Sequence, residues 1–470
     1  MTVKPASLPG SSADARRTYV SASFGWLTAA LACCALMLTG CPDVAPPNGN
    51  DNMNDNNGDP VSNKAFGGAE TCRQCHPQAY AEWLATPHAD AITSLSNIGQ
   101  DENANCLGCH TVGFGEEDGF VSLTETFDLV GVQCENCHGP AGEHARNPMD
   151  PDLIPPVDLS GNACATCHAG AHHPTSDEWS LSKHAMAIES LRTNDHAQDR
   201  CLQCHSQDYR YAIEKGETPP SIATVEFAIE CVTCHAPHGS SHVAQMRDTV
   251  ANVCGECHTQ SDAPLGNTPH HPQIDMLTGV GAFSELGEAL TANPDPHAQL
   301  AAEGGQACAQ CHVVKVEVED PNDGNPNVTG HTFNPFDDSI PEFQPAQYTG
   351  CLNCHSETTA DEFRVAIQAE IEGRLTALAP YFDTASELFV DPEMLDEAMQ
   401  TALSAAKFNY QYVSADGSRG VHNPTYARAA LATAESIITN LTTDEEPVED
   451  DDDGTGDMES MDDGDEMEGM

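Results

Sequence analysis

One short motif, Cys-x-x-Cys-His, occurs nine times between Cys72 and His355. Two thiols three positions apart can each form a thioether with a vinyl group of one haem, and the next histidine can bind the iron from its proximal face. The pattern therefore predicts nine covalently attached haems c. The motif cysteines are Cys72, Cys75, Cys106, Cys109, Cys134, Cys137, Cys164, Cys167, Cys201, Cys204, Cys231, Cys234, Cys254, Cys257, Cys308, Cys311, Cys351 and Cys354. The predicted proximal ligands are His76, His110, His138, His168, His205, His235, His258, His312 and His355.

Zinc is the alternative that this spacing leaves open, because Cys-x-x-Cys pairs also build tetrahedral zinc sites. We favour haem because histidine directly follows the second cysteine in all nine copies and because the chain begins with an export signal. Of the 21 cysteines, eighteen belong to motifs, Cys41 lies at a processing site, and Cys33 and Cys34 lie in the signal. None remains for a structural disulfide, so we expect the apoprotein to be largely unfolded.

A repeated pattern lies between the motifs. Trp83 precedes His88 by five residues, and Trp179 precedes His184 by five. Each block follows one motif, and two further motifs and another histidine come after it. We interpret this as a duplicated three-haem unit at 72–144 and 164–242, with a possible third copy at 254–355 that lacks the tryptophan.

Thirteen other histidines can supply a sixth iron ligand. Two histidines on one iron give a low-potential electron carrier, whereas an open sixth position is what a catalytic haem requires. Met186 and Met246 are alternative ligands, and any one histidine can instead pair with a propionate or the backbone. No catalytic residue is assigned. The repeat ranks His88, His144, His184 and His242 first as distal ligands. The other candidates are His297, His422, His238, His196, His331, His172 and His271, and only one member of each adjacent pair, His172/His173 and His270/His271, can easily reach a given iron.

The residues that must position these ligands lack long amphipathic periodicity until residue 356. Frequent Pro, Gly and Asn predict short helices joined by loops. The expected fold is mainly α with many loops, with little regular secondary structure around stacked haems and a helical segment near the C-terminus. The predicted organisation is a lipoprotein signal peptide (1–40), a flexible tether (41–66), a nonahaem domain (67–355), a helical segment (356–443) and an acidic disordered tail (444–470).

Three helices are predicted in the helical segment. Apolar residues recur every four positions over 361–378, Asp391-Pro392 is typical of a helix start, and Asn423-Pro424 opens a third helix. The predicted inward residues include Phe363, Met399 and Leu431. We expect these helices to pack against the last haems or against another subunit, which allows a homo-oligomer.

The N-terminus carries Arg16 and Arg17, an apolar run over 24–38 and then Leu-Thr-Gly-Cys ending at Cys41. This resembles a lipobox, which implies cleavage before Cys41 and lipidation of its thiol. An ordinary cleaved signal is the alternative. The expected location is the bacterial cell envelope, with the lipid anchor in the membrane and the protein facing the periplasm or the cell surface.

The formal net charge is −55, and residues 444–470 contain fifteen acidic groups without Lys or Arg. Such a surface repels nucleic acid and anionic lipid, which makes nucleic-acid binding an unlikely class of function. It favours redox partner proteins with basic docking surfaces.

The segments 72–91, 131–144 and 201–242 resemble the multihaem cytochromes that include the tetrahaem electron acceptor of hydroxylamine oxidation and the ammonia-forming nitrite reductases. Ala-Pro-His-Gly after a motif also resembles doubled C-x-x-C-H domains of electron carriers. The resemblance implies haems in near-parallel and near-perpendicular pairs, close enough for rapid electron transfer.

The chain departs from the reductases of that family. It has no C-x-x-C-K motif, and residues 67–355 contain only nine Lys and Arg. If an anion pocket exists, the candidates near the fifth motif are Arg200, Tyr209, Arg210 and Tyr211. The first hypothesis is a lipid-anchored electron conduit in anaerobic or nitrogen-cycle respiration. The alternatives are an oxidoreductase acting on nitrite, hydroxylamine or tetrathionate at a five-coordinate haem, and a subunit of an extracellular cytochrome filament.

Overall fold

The computed structural model describes residues 64–259, 264–290, 295–302, 308–319, 321, 326–336, 350–352 and 354–443. The predicted signal peptide, Cys41, most of the predicted tether and the predicted acidic tail lie outside these residues. Within the described ranges, no helix combines the length and the apolar character needed to cross a membrane.

Short helices separated by loops make up the chain before residue 356. Local side chains begin several of them: Asn103 Oδ1 accepts from the Asn105 amide at 3.0 Å, and Ser206 Oγ accepts from the Tyr209 amide at 3.1 Å. The helices are α1 (Ala69–Arg73), α2 (Pro77–Leu84), α3 (Ala91–Asn97), α4 (Ala104–His110), α5 (Cys134–His138), α6 (Gly142–Arg146), α7 (Asn162–Ala165), α8 (Thr175–Ser180), α9 (Ala187–Arg192), α10 (Leu202–His205), α11 (Gln207–Lys215), α12 (Cys231–Cys234), α13 (Val250–Gly255), α14 (Gln273–Thr278), α15 (Pro296–Ala302) and α16 (Ala309–His312).

β-structure in the described ranges is limited to isolated bridges, such as the one between Thr111 and Val130. The prediction of a mainly α fold with many loops is confirmed. Single 3₁₀ turns join some of the helices: Phe127–Leu129, Pro151–Leu153, Asp199–Cys201, Val243–Gln245, Ala379–Phe382 and Pro392–Met394.

Three long helices follow the last motif, as predicted: α17 (Glu357–Leu378), α18 (Glu397–Asp416) and α19 (Pro424–Thr443). The predicted start of α18 at Asp391-Pro392 was wrong. Asp391 caps only the 3₁₀ turn, and α18 begins after Asp396, whose carboxylate accepts from the Met399 amide at 2.8 Å. Two consecutive capping aspartates thus produce a turn and then a helix.

The three helices pack around a side-chain core. Its fully buried members include Ile371, Tyr412, Tyr426 and Leu431. Phe363, predicted to face inward, is 62% exposed. Its i+4 spacing matches that of the core residues, but its ring lies 6.1 Å from the ring of His355 and outside that core.

Residues 264–290 complete this core and are fastened to it by buried polar side chains. The Asn409 side chain accepts from the Phe283 amide and donates to the Phe283 carbonyl, both at 2.8 Å. The Tyr412 hydroxyl donates to Val280 O at 2.6 Å, and the Tyr426 hydroxyl donates to Leu290 O at 2.7 Å. The helical segment therefore packs on the same chain, next to the seventh motif.

Side-chain cores elsewhere are small. One cluster contains six buried residues around Leu202, and the other contains five around Leu129. Burying one large apolar side chain stabilises by about 2 kcal/mol, whereas ordering one residue's backbone costs about 1–2 kcal/mol. Such clusters cannot stabilise residues 64–259 alone, so the attached cofactors must supply most of the apolar contact there.

Candidate haem-attachment sites

We number the attachment sites 1 to 9 in chain order by their first cysteines. The motifs form helical turns in which the histidine amide donates to the carbonyl of the first cysteine. The His76 amide, for example, donates to Cys72 O at 2.9 Å. One turn places residues i and i+3 on the same face, so both thiols of a motif point to one side. All eighteen motif cysteines are described and carry free thiols. They therefore remain available for thioether bonds.

Oxygen atoms hold many proximal imidazoles through Nδ1. His110 Nδ1 lies 2.8 Å from Ala91 O, His235 Nδ1 lies 2.8 Å from Ala244 O, and His258 Nδ1 lies 3.0 Å from Gln273 Oε1. An oxygen acceptor fixes the proton on Nδ1 and leaves Nε2 free for a metal. The residues present therefore fit an axial role at a haem iron.

A second histidine faces eight of the nine proximal imidazoles. With metal–nitrogen bonds of about 2 Å, two imidazoles on opposite faces of a haem iron have ring centres about 6 Å apart. The observed ring-centre distances are 6.1 Å for His168–His88, 6.5 Å for His110–His173, 6.1 Å for His138–His238, 6.1 Å for His258–His184, 6.2 Å for His205–His270, 6.3 Å for His235–His331, 6.5 Å for His355–His297 and 6.0 Å for His312–His422.

The same distances argue against zinc. Two imidazoles at a tetrahedral angle would have ring centres about 5 Å apart, and a structural zinc would also take both thiols of the motif. Spacings of 6.0–6.5 Å match ligands on opposite sides of a metal. This arrangement is the one that a six-coordinate haem requires.

Thiols of different sites lie next to one another. Burial, followed by repulsion from the nearby Cys164 thiolate, raises the pKa of the Cys137 thiol to about 11, which places site 3 beside site 4. Similar repulsion connects Cys254 with Cys234 and Cys311 with Cys351, which places site 7 beside site 6 and site 8 beside site 9. Thiol–thiol hydrogen bonds join Cys72 to Cys134, Cys109 to Cys167, Cys164 to Cys231, Cys204 to Cys257 and Cys254 to Cys308.

Five of these links are thiol–thiol hydrogen bonds and three are charge repulsions between thiols, and together they relate all nine attachment sites. They form a line in the order 1, 3, 4, 6, 7, 8, 9. Site 2 lies beside site 4, and site 5 lies beside site 7. We call this order the site line and refer to sites 2 and 5 as the side sites.

Two segments make the same contacts with different residues. Trp83 Nε1 donates to Val132 O at 2.8 Å, and Trp179 Nε1 donates to Ile229 O at 2.9 Å. Each acceptor lies two residues before the first cysteine of the segment's third motif. The tryptophans therefore tie the first part of each segment to its third site.

The two side sites make equivalent contacts through the second cysteine of each motif. Cys109 Sγ lies 4.0 Å from Thr166 O, and Cys204 Sγ lies 3.9 Å from Glu256 O. Both acceptors lie between the two cysteines of the next segment's first motif. Each side site thus contacts the segment that follows it.

Known proteins share these features. Residues 71–139 and 163–239 match the family model described as cytochrome c554 and c-prime, and residues 226–263 match the doubled CXXCH motif. Multiheme cytochrome MtrA of Shewanella baltica is 24% identical over 314 residues, which cover 60% of this chain and 87% of MtrA. Cytochrome c-554 of Nitrosomonas europaea is 28% identical over 174 residues, which cover 33% of this chain and 63% of that protein.

Two solved structures have a similar fold. The outer cell wall cytochrome OcwA aligns with a TM-score of 0.61 at 19% identity, covering 80% of this chain and 100% of OcwA. The undecaheme cytochrome from the S-layer of Carboxydothermus ferrireducens aligns with a TM-score of 0.56 at 22% identity, covering 82% of this chain and 70% of that one. The chain is a multihaem c-type cytochrome. It transfers electrons.

Haem c, when attached, supplies a redox-active iron whose potential depends on its axial ligands and their hydrogen bonds. The protein's part is to hold those ligands. The turn between α18 and α19 does so for two sites: His422 Nδ1 lies 2.6 Å from the buried Asp416 carboxylate, and His297 Nδ1 lies 3.2 Å from Val421 O. The helical segment of this cytochrome therefore positions the two histidines that would serve as distal ligands at sites 8 and 9.

Glu178 is a positioning residue that sequence reasoning missed. Its buried carboxylate accepts from the Thr329 and His331 amides, both at 2.7 Å. It thereby fixes the loop that brings His331 opposite His235. One sequence feature could have pointed to Glu178, since it adjoins Trp179 in the repeated block. The amides that bind its carboxylate lie about 150 residues away and are brought to it only by the fold.

The ranking of distal candidates differs from the arrangement in the cytochrome. His88 and His184 pair with proximal rings, as do His238, His297, His331 and His422. In the described ranges, no proximal ring is recorded at axial spacing from His144, His196 or His242.

Local contacts account for two of these differences. His144 lies on α6, which is anchored where the Gly142 amide donates to Ala65 O, and His144 Nδ1 is buried. His242 Nε2 lies 3.8 Å from an Asp248 carboxylate oxygen.

Of the first adjacent pair, His173 faces a motif histidine, with its ring 6.5 Å from that of His110. Of the second pair, both His270 and the predicted His271 lie at axial spacing from His205, at 6.2 and 5.9 Å. His173 also lies 6.2 Å from His168, but His168 already faces His88, which leaves His110 for His173. His271 lies 4.1 Å from His270 and 5.9 Å from His205.

At site 5, the nitrogens of His205, His270 and His271 form one group within 4.8 Å of one another. Burial is the largest cause that lowers the pKa of His271, to about 3, so its imidazole is neutral.

The proposed anion pocket near site 5 does not assemble. Arg210 pairs with Glu256 at 2.5 Å, and Lys215 lies over the Tyr211 ring at 5.2 Å. Tyr209 packs against the cluster around Leu202, and Arg200 lies at the surface. These residues hold the protein together at this point and do not converge on a common space.

Proposed function

We propose that this cytochrome carries nine haems c and conducts electrons along the site line between two redox partners of the cell envelope, in anaerobic or nitrogen-cycle respiration. The observation that carries the proposal is the site line, along which the thiols of each attachment site from 1 to 9 interact with those of the next by a hydrogen bond or by charge repulsion. Paired histidines at eight sites support it, because two imidazole ligands favour electron transfer over substrate binding.

The site line and the side sites make this proposal testable. Site 4 lies on the line, whereas site 2 lies beside it. A chain that begins at Cys41 and is produced without lipidation keeps that thiol free, so it can be attached to a gold electrode and the current to a soluble acceptor can be measured. Removing site 4 with Cys164→Ala and Cys167→Ala should abolish most of the current. Removing site 2 with Cys106→Ala and Cys109→Ala should preserve it.

Two checks qualify this comparison. A pyridine haemochrome assay should give nine haems for the wild type and eight for each variant, and the helical circular dichroism should be retained. Equal currents from the two variants would contradict conduction along the site line. Far fewer than nine haems in the wild type would contradict the proposed occupancy.

The proposed setting is the outside of the cytoplasmic membrane, with a lipid anchor at Cys41. The lipobox-like sequence before Cys41 supports the anchor, and the two proteins of similar fold are an outer cell wall cytochrome and an S-layer cytochrome. Replacing the lipidated residue (Cys41→Ala) should move the protein from the membrane fraction to the soluble fraction. Retention of the variant in the membrane fraction would reject the anchor.

The proposed partners are redox proteins with basic docking surfaces. A chain with a formal net charge of −55 attracts a cationic partner over long range, and salt screens that attraction. The second-order rate of electron exchange with a basic cytochrome should therefore fall as ionic strength rises, while an acidic partner of similar potential should react slowly and show the opposite salt dependence.

A further inference from the structure

The end of α18 gives one imidazole of the eight pairs an anionic partner. His422 Nδ1 lies 2.6 Å from Asp416 Oδ1, and the His422 ring lies 6.0 Å from the ring of His312 at site 8. Seven other imidazoles of the pairs bind neutral oxygen atoms through Nδ1, six of them at backbone carbonyls and one at the Gln273 side chain. Site 8 therefore combines a carbonyl behind its proximal imidazole with a carboxylate behind the facing one.

The neighbouring site shows that this contact is specific to His422. At site 9, His297 Nδ1 lies 3.2 Å from Val421 O, whereas an Asp295 carboxylate oxygen lies 3.8 Å away, beyond hydrogen-bond distance. The end of α18 and the turn after it thus supply a charged acceptor to one site and a neutral acceptor to the next.

The Asp416 carboxylate is held in place from several sides. Its side chain is 1% exposed, and its second oxygen accepts from the Ser418 hydroxyl and, at 3.2 Å, from the Ser418 amide. Ser418 Oγ in turn accepts from the His422 amide at 3.2 Å, and the Gln273 side chain donates to the Asp416 carbonyl at 3.1 Å. Turning the carboxylate away from the imidazole would break these contacts.

The charges near this contact are negative on the side that faces His422. Asp416 is the last residue of a 20-residue helix, and the C-terminus of a helix carries a partial negative charge. Arg419, the basic residue of the turn, pairs with Glu372 at 2.8 Å, where both side chains are more than half exposed. The negative charge of Asp416 therefore acts mainly on His422.

Resting on the haem occupancy proposed above, we propose that Asp416 is a positioning residue that acts through His422 to lower the reduction potential of the iron at site 8. A ferric haem carries one more positive charge than a ferrous haem, so an anion behind its imidazole favours the oxidised form. The hydrogen bond acts in the same direction, because it makes the imidazole a stronger donor to the iron.

The position of site 8 gives this residue a role in conduction. Site 8 lies between sites 7 and 9 on the site line. One electron passes from ferrous iron at site 7 to ferric iron at site 8, and no proton moves because His422 keeps the proton on Nδ1. For electrons moving toward site 9, Asp416 makes the step into site 8 less favourable and the step out of it more favourable.

The test is a redox titration of the purified holoprotein followed by electron paramagnetic resonance. His422→Gly makes the iron at site 8 high-spin and so identifies the low-spin signal of site 8 in the wild type. Asp416→Asn keeps the shape of the side chain and an oxygen that accepts from His422 but removes the charge. In that variant the site 8 signal should disappear at a higher potential, with its reduction equilibrium shifted about tenfold, or about 59 mV, toward the ferrous form.

Two further variants separate charge from structure. Ser418→Ala loosens the same turn but leaves the carboxylate, which loses a hydrogen-bond donor and becomes a stronger acceptor for His422, so the site 8 potential should fall. Asp295→Asn is the matched control at the neighbouring site and should shift site 9 by less than Asp416→Asn shifts site 8.

An unchanged or lower site 8 potential in Asp416→Asn would overturn the proposal. A rise in Ser418→Ala would also overturn it, because loosening of the turn would then be the cause, and this measurement decides the matter if Asp416→Asn does not mature.

These outcomes differ from those that test conduction. Nine haems and a normal current without a shift in Asp416→Asn would reject the tuning alone. A tenfold shift at site 8 in a chain that carries no current between its ends would reject the conduit alone.

Discussion

The segments 72–144 and 164–242 are built alike and coordinated differently. Both fasten their third site through a tryptophan, at 2.8 Å in one and 2.9 Å in the other. Both join their first and third sites through a thiol contact. The His168 ring of site 4 nevertheless faces His88 of the other segment, whereas in the part of the chain that the structure describes no histidine ring faces His76 of site 1 at that spacing. The difference teaches that the histidine facing a motif depends on how neighbouring segments pack and not on the motif's own segment alone.

The segments also differ in two buried positions. Gln133 stands before the third motif of the first segment, and Glu230 stands at the same place in the second. The Gln133 amide donates to Asp128 O and Val130 O, whereas Glu230 Oε2 is buried without a hydrogen-bond partner. Gly131 corresponds to Ala228 in the same alignment. Because the segments differ at these two positions, a single substitution can give one segment the residue of the other.

The largest effect should come from breaking ligand donation. We expect His184→Gly to convert site 7, which lies outside its own segment, into a high-spin haem, because His184 is the ring that faces His258 at 6.1 Å. Electron paramagnetic resonance should show one additional high-spin iron, and added imidazole should restore the low-spin signal. The control variant His242→Gly should change nothing, since no proximal ring in the described ranges is recorded at axial spacing from it. Conversion by His242→Gly and none by His184→Gly would reverse the assignment.

The next effect concerns pH. Burial, followed by repulsion from Asp158, raises the pKa of Glu230 from 4.5 to about 7. The folded state therefore holds a proton that the unfolded state releases, so stability falls as pH rises from about 4.5 to 7 and stays lower above that range. Glu230→Gln copies the first segment and should remove this loss, raising the free energy of unfolding at pH 8 by on the order of 1–3 kcal/mol.

Denaturant unfolding of the holoprotein at pH 4.5 and pH 8 measures this difference. The exposed Glu226→Gln substitution is the control and should change stability little at either pH. Gln133→Glu should introduce the same pH dependence into the first segment. A Glu230→Gln variant with unchanged stability at pH 8 would show that the ionised Glu230 carboxylate is already stabilised by a contact outside the protein.

A smaller effect should follow from Gly131→Ala. Gly131 has φ +88°, and an added Cβ would lie 2.7 Å from Ala89 O, next to His88. Left-handed backbone and the close contact together should cost about 2 kcal/mol of stability and weaken ligation at site 4. Gly99→Ala isolates the backbone cost, because Gly99 also has positive φ but no atom within 4 Å of the added Cβ. Equal losses from both variants would show that the contact relaxes.

The smallest effect should come from the tryptophans. Trp83→Phe and Trp179→Phe each remove one indole hydrogen bond, so each should cost about 1 kcal/mol. Their shifts in denaturant midpoint should be similar if the two segments use tryptophan in the same way. A loss confined to one variant would show that the segments differ in this contact despite its equal geometry.

Much of the architecture could be predicted from the sequence. The motif gives the attachment chemistry because both cysteines and the histidine act within one helical turn. The helices of the 357–443 region could be predicted because their apolar period and their caps are local signals. The start of α18 was missed because Asp391-Pro392 and Asp396 offer two consecutive helix starts, and only tertiary packing chooses between them.

The facing histidine rings could be predicted only in part, and their role as iron ligands stays a prediction. His88 and His184, which face motif histidines, were predicted because they recur at the same distance from a tryptophan. His144 and His242 recur equally well, yet recurrence shows only that two positions are equivalent and does not say which iron either one reaches. His173 and His270 act across segment boundaries, so their partners depend on how successive segments pack. The one usable signal was a pair of adjacent histidines after the first motif of the second and third segments.

Histidine rings pair across segment boundaries in both directions, which makes neighbouring segments dependent on each other. His88 of the first segment faces His168 of the second, whereas His173 and His238 of the second face His110 and His138 of the first. A cut between these two segments would therefore separate ring pairs that serve motifs on both sides of the cut. Neither piece would keep its full set of facing imidazoles, so the two segments form one unit for cofactor binding although each carries its own three motifs.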